Sequence, residues 1–220
     1  MCVQRIGIGQ ASTTIREALE FELSYSARRS SRYMTRYVAF LRAINVAGQK
    51  LIKMQELARI FAAAGCKNVG TYIQSGNVIF DSKSTNSAAL SKKIERTLQQ
   101  ALGYEVTVIL RTVAEVEALV RRNPFKKIKT DDEVMPFVVF LSHQPKPTPK
   151  LPLISIRESL ELFEIKNGAA FIAARRKQNG WFGFPNAFVE KELGVVGTTR
   201  NWNTVNKIVH FAEALDEERK

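Results

Sequence analysis

The stretch LRAINVAGQKLIKM, residues 41–54, joins an apolar segment to an amphipathic one, and it decides how the chain folds. The residues that lead into it, Tyr37–Leu41, are apolar and β-prone, which predicts a strand. After it, apolar side chains recur every three or four residues, which predicts a helix that Gly65 ends. The polar residues between the two segments therefore form a loop between a strand and a helix, where outward-pointing backbone N–H groups can hold an anion.

Beyond this stretch, the patterns follow the order β-α-β-β-α-β as far as Leu110. Ser75-Gly76 marks a tight hairpin between two short strands. An amphipathic helix around Leu90–Ala101 and an alternating strand at Glu105–Leu110 complete the series. This order of elements predicts a ferredoxin-like unit.

A second series of elements follows a connecting helix, which begins at the capping box of Thr112 and Glu115. Its hairpin, EIKNGAAFI at 164–172, resembles YIQSGNVIF at 72–80, and each hairpin is followed by a helix and a strand. We expect the first helix of this second half to be shortened into residues 151–158. The fold class we predict is α+β, with two ferredoxin-like (βαββαβ) halves forming one compact unit after an N-terminal extension.

The same patterns give the expected domain boundaries. Residues 1–35 are predicted to be a weakly ordered N-terminal extension, because they contain a basic, serine-rich run and no periodic apolar face. The first half is expected at 36–111, the connecting helix and loop at 112–134, and the second half with a C-terminal helix at 135–216.

The charge of the chain favours anionic partners. Thirty-three Lys and Arg against twenty-one Asp and Glu give a net charge of +12. This balance favours nucleic acid or a phosphorylated small molecule, the alternative being a solvated basic surface. No apolar run approaches the ~20 residues of a membrane span, and the few Cys and His residues lack the spacing of metal ligands. We therefore expect a cytoplasmic protein with no cofactor, no metal and no membrane partner, and we leave its oligomeric state open.

Three polar stretches, at residues 42–53, 74–77 and 198–208, interrupt the apolar elements, and they supply the candidate site. Arginine offers a planar fork for phosphate or carboxylate, asparagine and threonine offer neutral donors, and tryptophan can stack on a ring. The structural alternative is that these side chains cap helices or brace turns. We also expect Arg42 and Arg200 to lie near the same cleft. The candidate ligand-binding residues are Arg42, Asn45, Gly48, Lys53, Gln74, Ser75, Asn77, Arg200, Asn201, Trp202, Asn203, Thr204 and Lys207.

No arrangement of nucleophile, base and acid is recognisable, and no catalytic residue is predicted. The favoured hypothesis is a binding module for an anionic ligand, either nucleic acid or a phosphorylated metabolite. A small-molecule enzyme of undefined reaction class and a partner-binding adaptor are the alternatives.

The polar stretches also carry a family resemblance. LRAINVAGQKLIKM, TYIQSGNVIF, NPF at 123–125 and TTRNWNTVNKI at 198–208 resemble the bacterial domain-of-unknown-function 1697 family, from about Arg36 to Phe211. The resemblance implies two ferredoxin-like repeats and no established activity. Ala43 and Ala47 stand where that family usually has glycine. Residues 180–185 replace a Gly-Arg-Ser-Lys run of many relatives, which removes basic donors from that segment.

Overall fold

The structure is a computed structural model that describes residues 34–45, 51–128 and 132–217. Residues 1–33 of the predicted extension and the candidate residue Gly48 lie outside the described residues.

The described residues of the first half contain four strands and two helices in the predicted order β-α-β-β-α-β, followed by the predicted connecting helix. Its elements are β1 (Thr35–Leu41), α1 (Met54–Ala63), β2 (Lys67–Tyr72), β3 (Asn77–Ser82), α2 (Ser87–Leu102), β4 (Val108–Thr112) and α3 (Val113–Arg122). The capping box predicted for Thr112 and Glu115 is present and begins α3. Because a capping box satisfies helix donors locally, it can be recognised from the sequence alone.

The second half contains five strands and two helices. Its elements are β5 (Val134–Leu141), β6 (Leu153–Ser155), β7 (Leu160–Lys166), β8 (Ala169–Arg175), α4 (Asn186–Leu193), β9 (Gly197–Asn201) and α5 (Trp202–Glu217). Asn167 and Gly168 both have positive φ, 51° and 68°, as a two-residue hairpin between β7 and β8 requires. Gly194 ends α4 in the left-handed conformation.

The expectation of a shortened helix at 151–158 is wrong, since this segment contains the edge strand β6. Four prolines precede β6 within a few residues, and proline removes the N–H donor that a helix interior needs. The segment instead pairs with β7, with Leu153 opposite Leu162 and Ser155 opposite Leu160.

The fold is a mixed α/β fold with two antiparallel sheets, and five helices lie within the described part of the chain. The strand orders are β2-β3-β1-β4 and β6-β7-β8-β5-β9. Without the edge strand β6, the two orders correspond strand by strand. The register corresponds as well: Phe40 lies opposite Asn77 and Ile109, and Phe140 lies opposite Ala169 and Thr198. By the same correspondence, α3 after β4 is the counterpart of α5 after β9.

The two sheets face each other through their central strands. Phe40 of β1 and Phe140 of β5 stack with ring centroids 3.8 Å apart. Side chains of α3 and α5 belong to the same core cluster, so these helices close the space beside the stacked rings. The opposite face of the first sheet packs on α1 and α2, and that of the second sheet packs on α4. Both central strands are therefore covered on both faces.

We expect Phe40→Ala to lower the free energy of unfolding by about 3–5 kcal/mol, because the substitution leaves a cavity between the sheets. Urea denaturation measures the change. Trp181→Ala is the matched control, since Trp181 is 75% exposed, and it should change stability by no more than about 0.5 kcal/mol. Similar losses for the two variants would contradict the assignment of the inter-sheet contact as the centre of the core.

Candidate functional site

The three polar stretches converge on the side chain of Arg200, which lies in β9 and is 7% exposed. Its Nε donates to Asn77 Oδ1 at 2.5 Å. Its Nη1 and Nη2 donate to five further oxygens within 3.2 Å, which belong to Thr198 (Oγ1), Thr199, Leu41, Ser75 and Gly76 (backbone carbonyls). Because a guanidinium has five N–H donors, this set of acceptors engages all of them.

Arg200 therefore joins the second half to the end of β1 and to the β2–β3 turn. Burial lowers the pKa of Arg200 to about 10, which still leaves it charged at neutral pH. The carbonyl dipoles take the place of water around that buried charge. Since no donor is left for a ligand, Arg200 has a structural role, and we do not include it in the ligand site proposed below.

Arg42 follows β1 and is also engaged by the protein. Its Nη2 lies 2.8 Å from Glu190 Oε1 of α4, while its Nε is buried without a partner among the described residues. Arg200 Nη2 donates to the carbonyl of Leu41, the residue before Arg42, at 3.0 Å. The fold thus brings the two arginines to the same end of β1, but protein acceptors engage every donor of Arg200, and Arg42 is paired with Glu190. We therefore place no shared anion site between them.

Most other candidate residues serve the local structure. The Asn45 amide bonds the backbone of Ile52 and the carbonyl of Gln74, which braces the loop after β1. Asn201 caps α5 by accepting from the backbone N–H of Thr204, and Trp202 packs on Phe125 with ring centroids 5.2 Å apart.

The remaining candidates are accessible, and their contact with a ligand stays a prediction. The exposed side chains are Lys53, Gln74, Ser75, Asn203 and Lys207.

A second arginine, Arg111 of β4, occupies the position in the first half that Arg200 occupies in the second. Arg111 lies opposite Val38, as Arg200 lies opposite Val138. It donates to the carbonyls of Leu110, Leu141 and Gly168 at 2.6, 2.8 and 2.6 Å. These carbonyls are the counterparts of Thr199, Leu41 and Gly76. Each arginine thus reaches from the last strand of one half to the hairpin of the other.

Sequence reasoning missed Arg111, although one signal was available. In Leu110-Arg111-Thr112 and Thr199-Arg200-Asn201, the arginine directly precedes the residue that caps the following helix. Gly168 marks the other side of the contact, because a Cβ at this position would lie 2.5 Å from Arg111 Nη2. A side chain at this position would therefore force the guanidinium to move, and the φ of 68° at Gly168 also favours glycine.

A cavity of about 290 Å³ lies beside Arg111, between α3 and the β7–β8 hairpin. Its apolar wall is formed by Val116, Leu119, Phe140 and Phe171. Three cationic side chains also line it, those of Arg111, Arg122 and Lys166, together with the carboxylate of Glu115. The cavity therefore combines an apolar wall with an excess of positive charge.

The two carboxylates near the cavity are already engaged. Glu115 Oε2 accepts from the backbone N–H and the hydroxyl of Thr112, at 2.7 and 2.8 Å, which holds the start of α3. Glu164 accepts from Arg122 Nη1 with both oxygens, at 2.7 and 2.8 Å.

Two guanidinium donors at the cavity are not engaged. Arg122 Nη2 is buried and has no partner among the described residues. The Arg111 N–H bonds to described residues all come from Nη1 and Nη2, so its Nε donates to none of them. Burial lowers the pKa of Arg111, and the charge of Glu115 acts in the opposite direction. Lys166 is exposed and forms no ion pair with any described residue.

Other reactive side chains give no further site. Cys66 is buried, and burial raises the pKa of its thiol to about 11, so it carries little thiolate at neutral pH. The described residues contain no group of three potential metal ligands. They also contain no helix long and apolar enough to cross a membrane.

Fold and cavity together define a mixed α/β protein with two antiparallel sheets and a basic cavity at their junction. The chain belongs to the family described as "Protein of unknown function (DUF1697)", which matches residues 34–171 and confirms the resemblance seen in the sequence. The match ends within β8, so TTRNWNTVNKI lies beyond it.

A solved structure shares this fold. The conserved bacterial protein SP0830 from Streptococcus pneumoniae is similar to it with a TM-score of 0.60 and 22% sequence identity. The similarity covers 82% of this chain and 99% of the pneumococcal chain. No functionally curated protein matches the chain.

We expect Asn77→Ala to lower the free energy of unfolding by about 1.5–3 kcal/mol, because Arg200 Nε then loses its acceptor inside the protein. Asn77→Asp is the comparison variant: it keeps an oxygen beside the guanidinium and loses only the amide donors to the Tyr72 carbonyl and Ser75 Oγ, so it should retain most of the stability. Urea denaturation of the three proteins measures both effects. If Asn77→Asp proves as unstable as Asn77→Ala, the contact with Arg200 is not what makes Asn77 important.

Proposed function

We propose that this protein is a binding module for a small anionic ligand, of the phosphorylated-metabolite class, and that the ligand binds in the cavity beside Arg111. The observation that carries the proposal is one cavity lined by Arg111 and Arg122, each of which has a guanidinium donor, Nε and Nη2 respectively, without an acceptor among the described residues. Arg122 Nη2 is buried, and a buried donor without an acceptor costs about 1–3 kcal/mol, a penalty that a ligand oxygen would remove.

The size and lining of the cavity support a small ligand. Its volume of about 290 Å³ is close to the lower end of the range of small-molecule sites, about 300–1,000 Å³. An apolar wall with a few convergent polar groups is typical of such sites. The third cation, Lys166, lies at the exposed side of the cavity and can meet an incoming anion.

The engagement of the carboxylates favours binding over catalysis. Glu115 is the carboxylate among the described lining residues, and it holds the start of α3. A general base needs a side chain within reach of the substrate and able to take a proton. A small-molecule enzyme therefore finds less support in this cavity than a binding module does.

We further infer that the two halves are ferredoxin-like repeats. Support comes from the order β2-β3-β1-β4, which is the order of a split βαβ unit, and from its repetition by β7-β8-β5-β9. In the second repeat, the proline-rich connection and β6 replace the first helix. A reducing cytoplasmic location agrees with the unpaired, buried Cys66.

Isothermal titration calorimetry with a panel of phosphate monoesters tests the proposed binding. We expect Lys166→Gln to weaken binding of any ester that the wild type binds by roughly 10- to 100-fold, the scale of a lost charged hydrogen bond. Lys207→Gln is the matched control, because it removes the same charge from an exposed position of α5 outside the cavity lining.

Two results would overturn the proposal. One is equal weakening by Lys166→Gln and Lys207→Gln. The other is the absence of ester binding together with binding of mixed single-stranded RNA that weakens steeply as salt rises, which would assign the basic charge to nucleic acid.

A further inference from the structure

We propose that the ligand of this cavity is an aromatic oxoanion, whose oxygen accepts from Arg111 Nε and whose ring packs between α3 and the β7–β8 hairpin. This inference rests on the proposed function and adds the chemical class of the ligand. It follows from a comparison of the two places where the halves meet: the cavity beside Arg111, between α3 and the β7–β8 hairpin, corresponds to the place between α5 and the β2–β3 hairpin that the side chains of Tyr72 and Phe211 fill.

A comparison of the hydrogen-bond acceptors of the two arginines indicates where the ligand oxygen binds. Both arginines bond the carbonyl of the preceding residue, the end of the facing central strand and the glycine of the facing hairpin. Arg200 has three acceptors more, which are Asn77 Oδ1, Thr198 Oγ1 and the Ser75 carbonyl. None of these three acceptors has a counterpart among the bonds of Arg111 to described residues, and the missing contact to Asn77 leaves Arg111 Nε without an acceptor among them.

The register of the strands explains this difference between the acceptors of the two arginines. Ala169 lies opposite Phe140 just as Asn77 lies opposite Phe40, so alanine stands where the first half has the amide. Similarly, Ile109 lies opposite Phe40 where Thr198 lies opposite Phe140. Two side-chain acceptors beside Arg200 are thus replaced by apolar side chains beside Arg111. A ligand oxygen at the position that corresponds to Asn77 Oδ1 gives Arg111 Nε an acceptor.

The same correspondence identifies the space for a ring. In the first half, Tyr72 lies opposite Asn77, and its ring contacts Phe211 of α5 with centroids 5.3 Å apart. The counterpart of Tyr72 is Lys166, which lies opposite Ala169. The counterpart of Phe211 is Arg122, since each is the tenth residue of its helix, α5 and α3.

The packed rings of Tyr72 and Phe211 therefore correspond to the cations Lys166 and Arg122 around the cavity. Phe171 and Phe140 remain on the wall of this cavity, and Arg122 lies over the Phe171 ring at 4.9 Å. An aromatic ring fits the volume that corresponds to the one filled by Tyr72 and Phe211, and it gains contact with aromatic neighbours. Lys166 and the unengaged Nε of Arg111 favour a negative charge on the same ligand.

Calorimetry of the full chain with four probes tests the ligand class: phenyl phosphate, 3-phenylpropionate, inorganic phosphate and acetate. We expect each aromatic probe to bind at least tenfold more tightly than the inorganic or aliphatic anion with the same head group. The stronger of the two aromatic probes tells phosphate from carboxylate. Inorganic phosphate that binds as tightly as phenyl phosphate would overturn the aromatic class while leaving anion binding intact.

The Ala169→Asn variant tests the position of the oxygen, because it gives Arg111 the acceptor that Arg200 has. We expect it to weaken binding of the aromatic probes by at least tenfold while melting at the temperature of the wild type or above. Ala169→Leu, of similar size without an acceptor, is the matched control and should melt at a lower temperature than Ala169→Asn.

A second variant keeps the test decisive if Ala169→Asn does not fold. Lys166→Tyr combined with Arg122→Phe places the counterparts of Tyr72 and Phe211 at the cavity and leaves Ala169 unchanged. We expect a folded protein without measurable binding of any of the four probes. Folded variants that bind the aromatic probes with wild-type affinity would overturn the inference.

Discussion

The contact between the two halves depends on a reciprocal pair of arginines, each held by the carbonyl oxygens of the opposite hairpin. Taking a guanidinium out of water costs several kcal/mol unless polar groups surround it. Neither half supplies enough of these groups to its own arginine. Arg200 uses oxygens of Leu41, Ser75 and Gly76, and Arg111 uses oxygens of Leu141 and Gly168. Each arginine is therefore satisfied only when both sheets are formed and the two central strands face each other.

The surroundings of the two arginines differ. On the side of Arg200, Asn77 accepts from the guanidinium, and the ring of Tyr72 packs on that of Phe211. Around Arg111, the corresponding positions hold Ala169, Lys166 and Arg122, which leave space, an unused donor and additional charge. The side chains beside Arg200 pack and accept hydrogen bonds. Arg111 keeps the same bonds to backbone carbonyls, and the residues beside it line a cavity.

The sequence predicts well those features of the structure that neighbouring residues determine. It predicts poorly those that depend on residues far apart along the chain. The capping box of Thr112, the Asn167-Gly168 turn and the end of α4 at Gly194 are set by neighbouring residues and were predicted correctly. Apart from the residues of its own strand, the hydrogen-bond partners of Arg200 lie between 123 and 159 residues away along the chain. No local pattern specifies such partners, and a buried arginine looks in the sequence like one that faces a ligand. The cavity was missed for the same reason, since its cations lie on three different elements.

The electrostatics of the cavity explain why it can stay open in the absence of a ligand. Arg111, Arg122 and Lys166 repel one another. Glu164 pairs with Arg122 and the charge of Glu115 acts on Arg111, which still leaves an excess of positive charge. Collapse of the walls would remove water from these charges without providing acceptors, which is more unfavourable than leaving the cavity hydrated. An anion relieves the repulsion and supplies the acceptors together, so it can displace that water. An anion that enters the cavity meets the accessible Lys166 before it reaches the half-buried Arg111. Added salt should consequently slow ligand entry more than it speeds ligand release, because screening is strongest at the exposed mouth of the cavity.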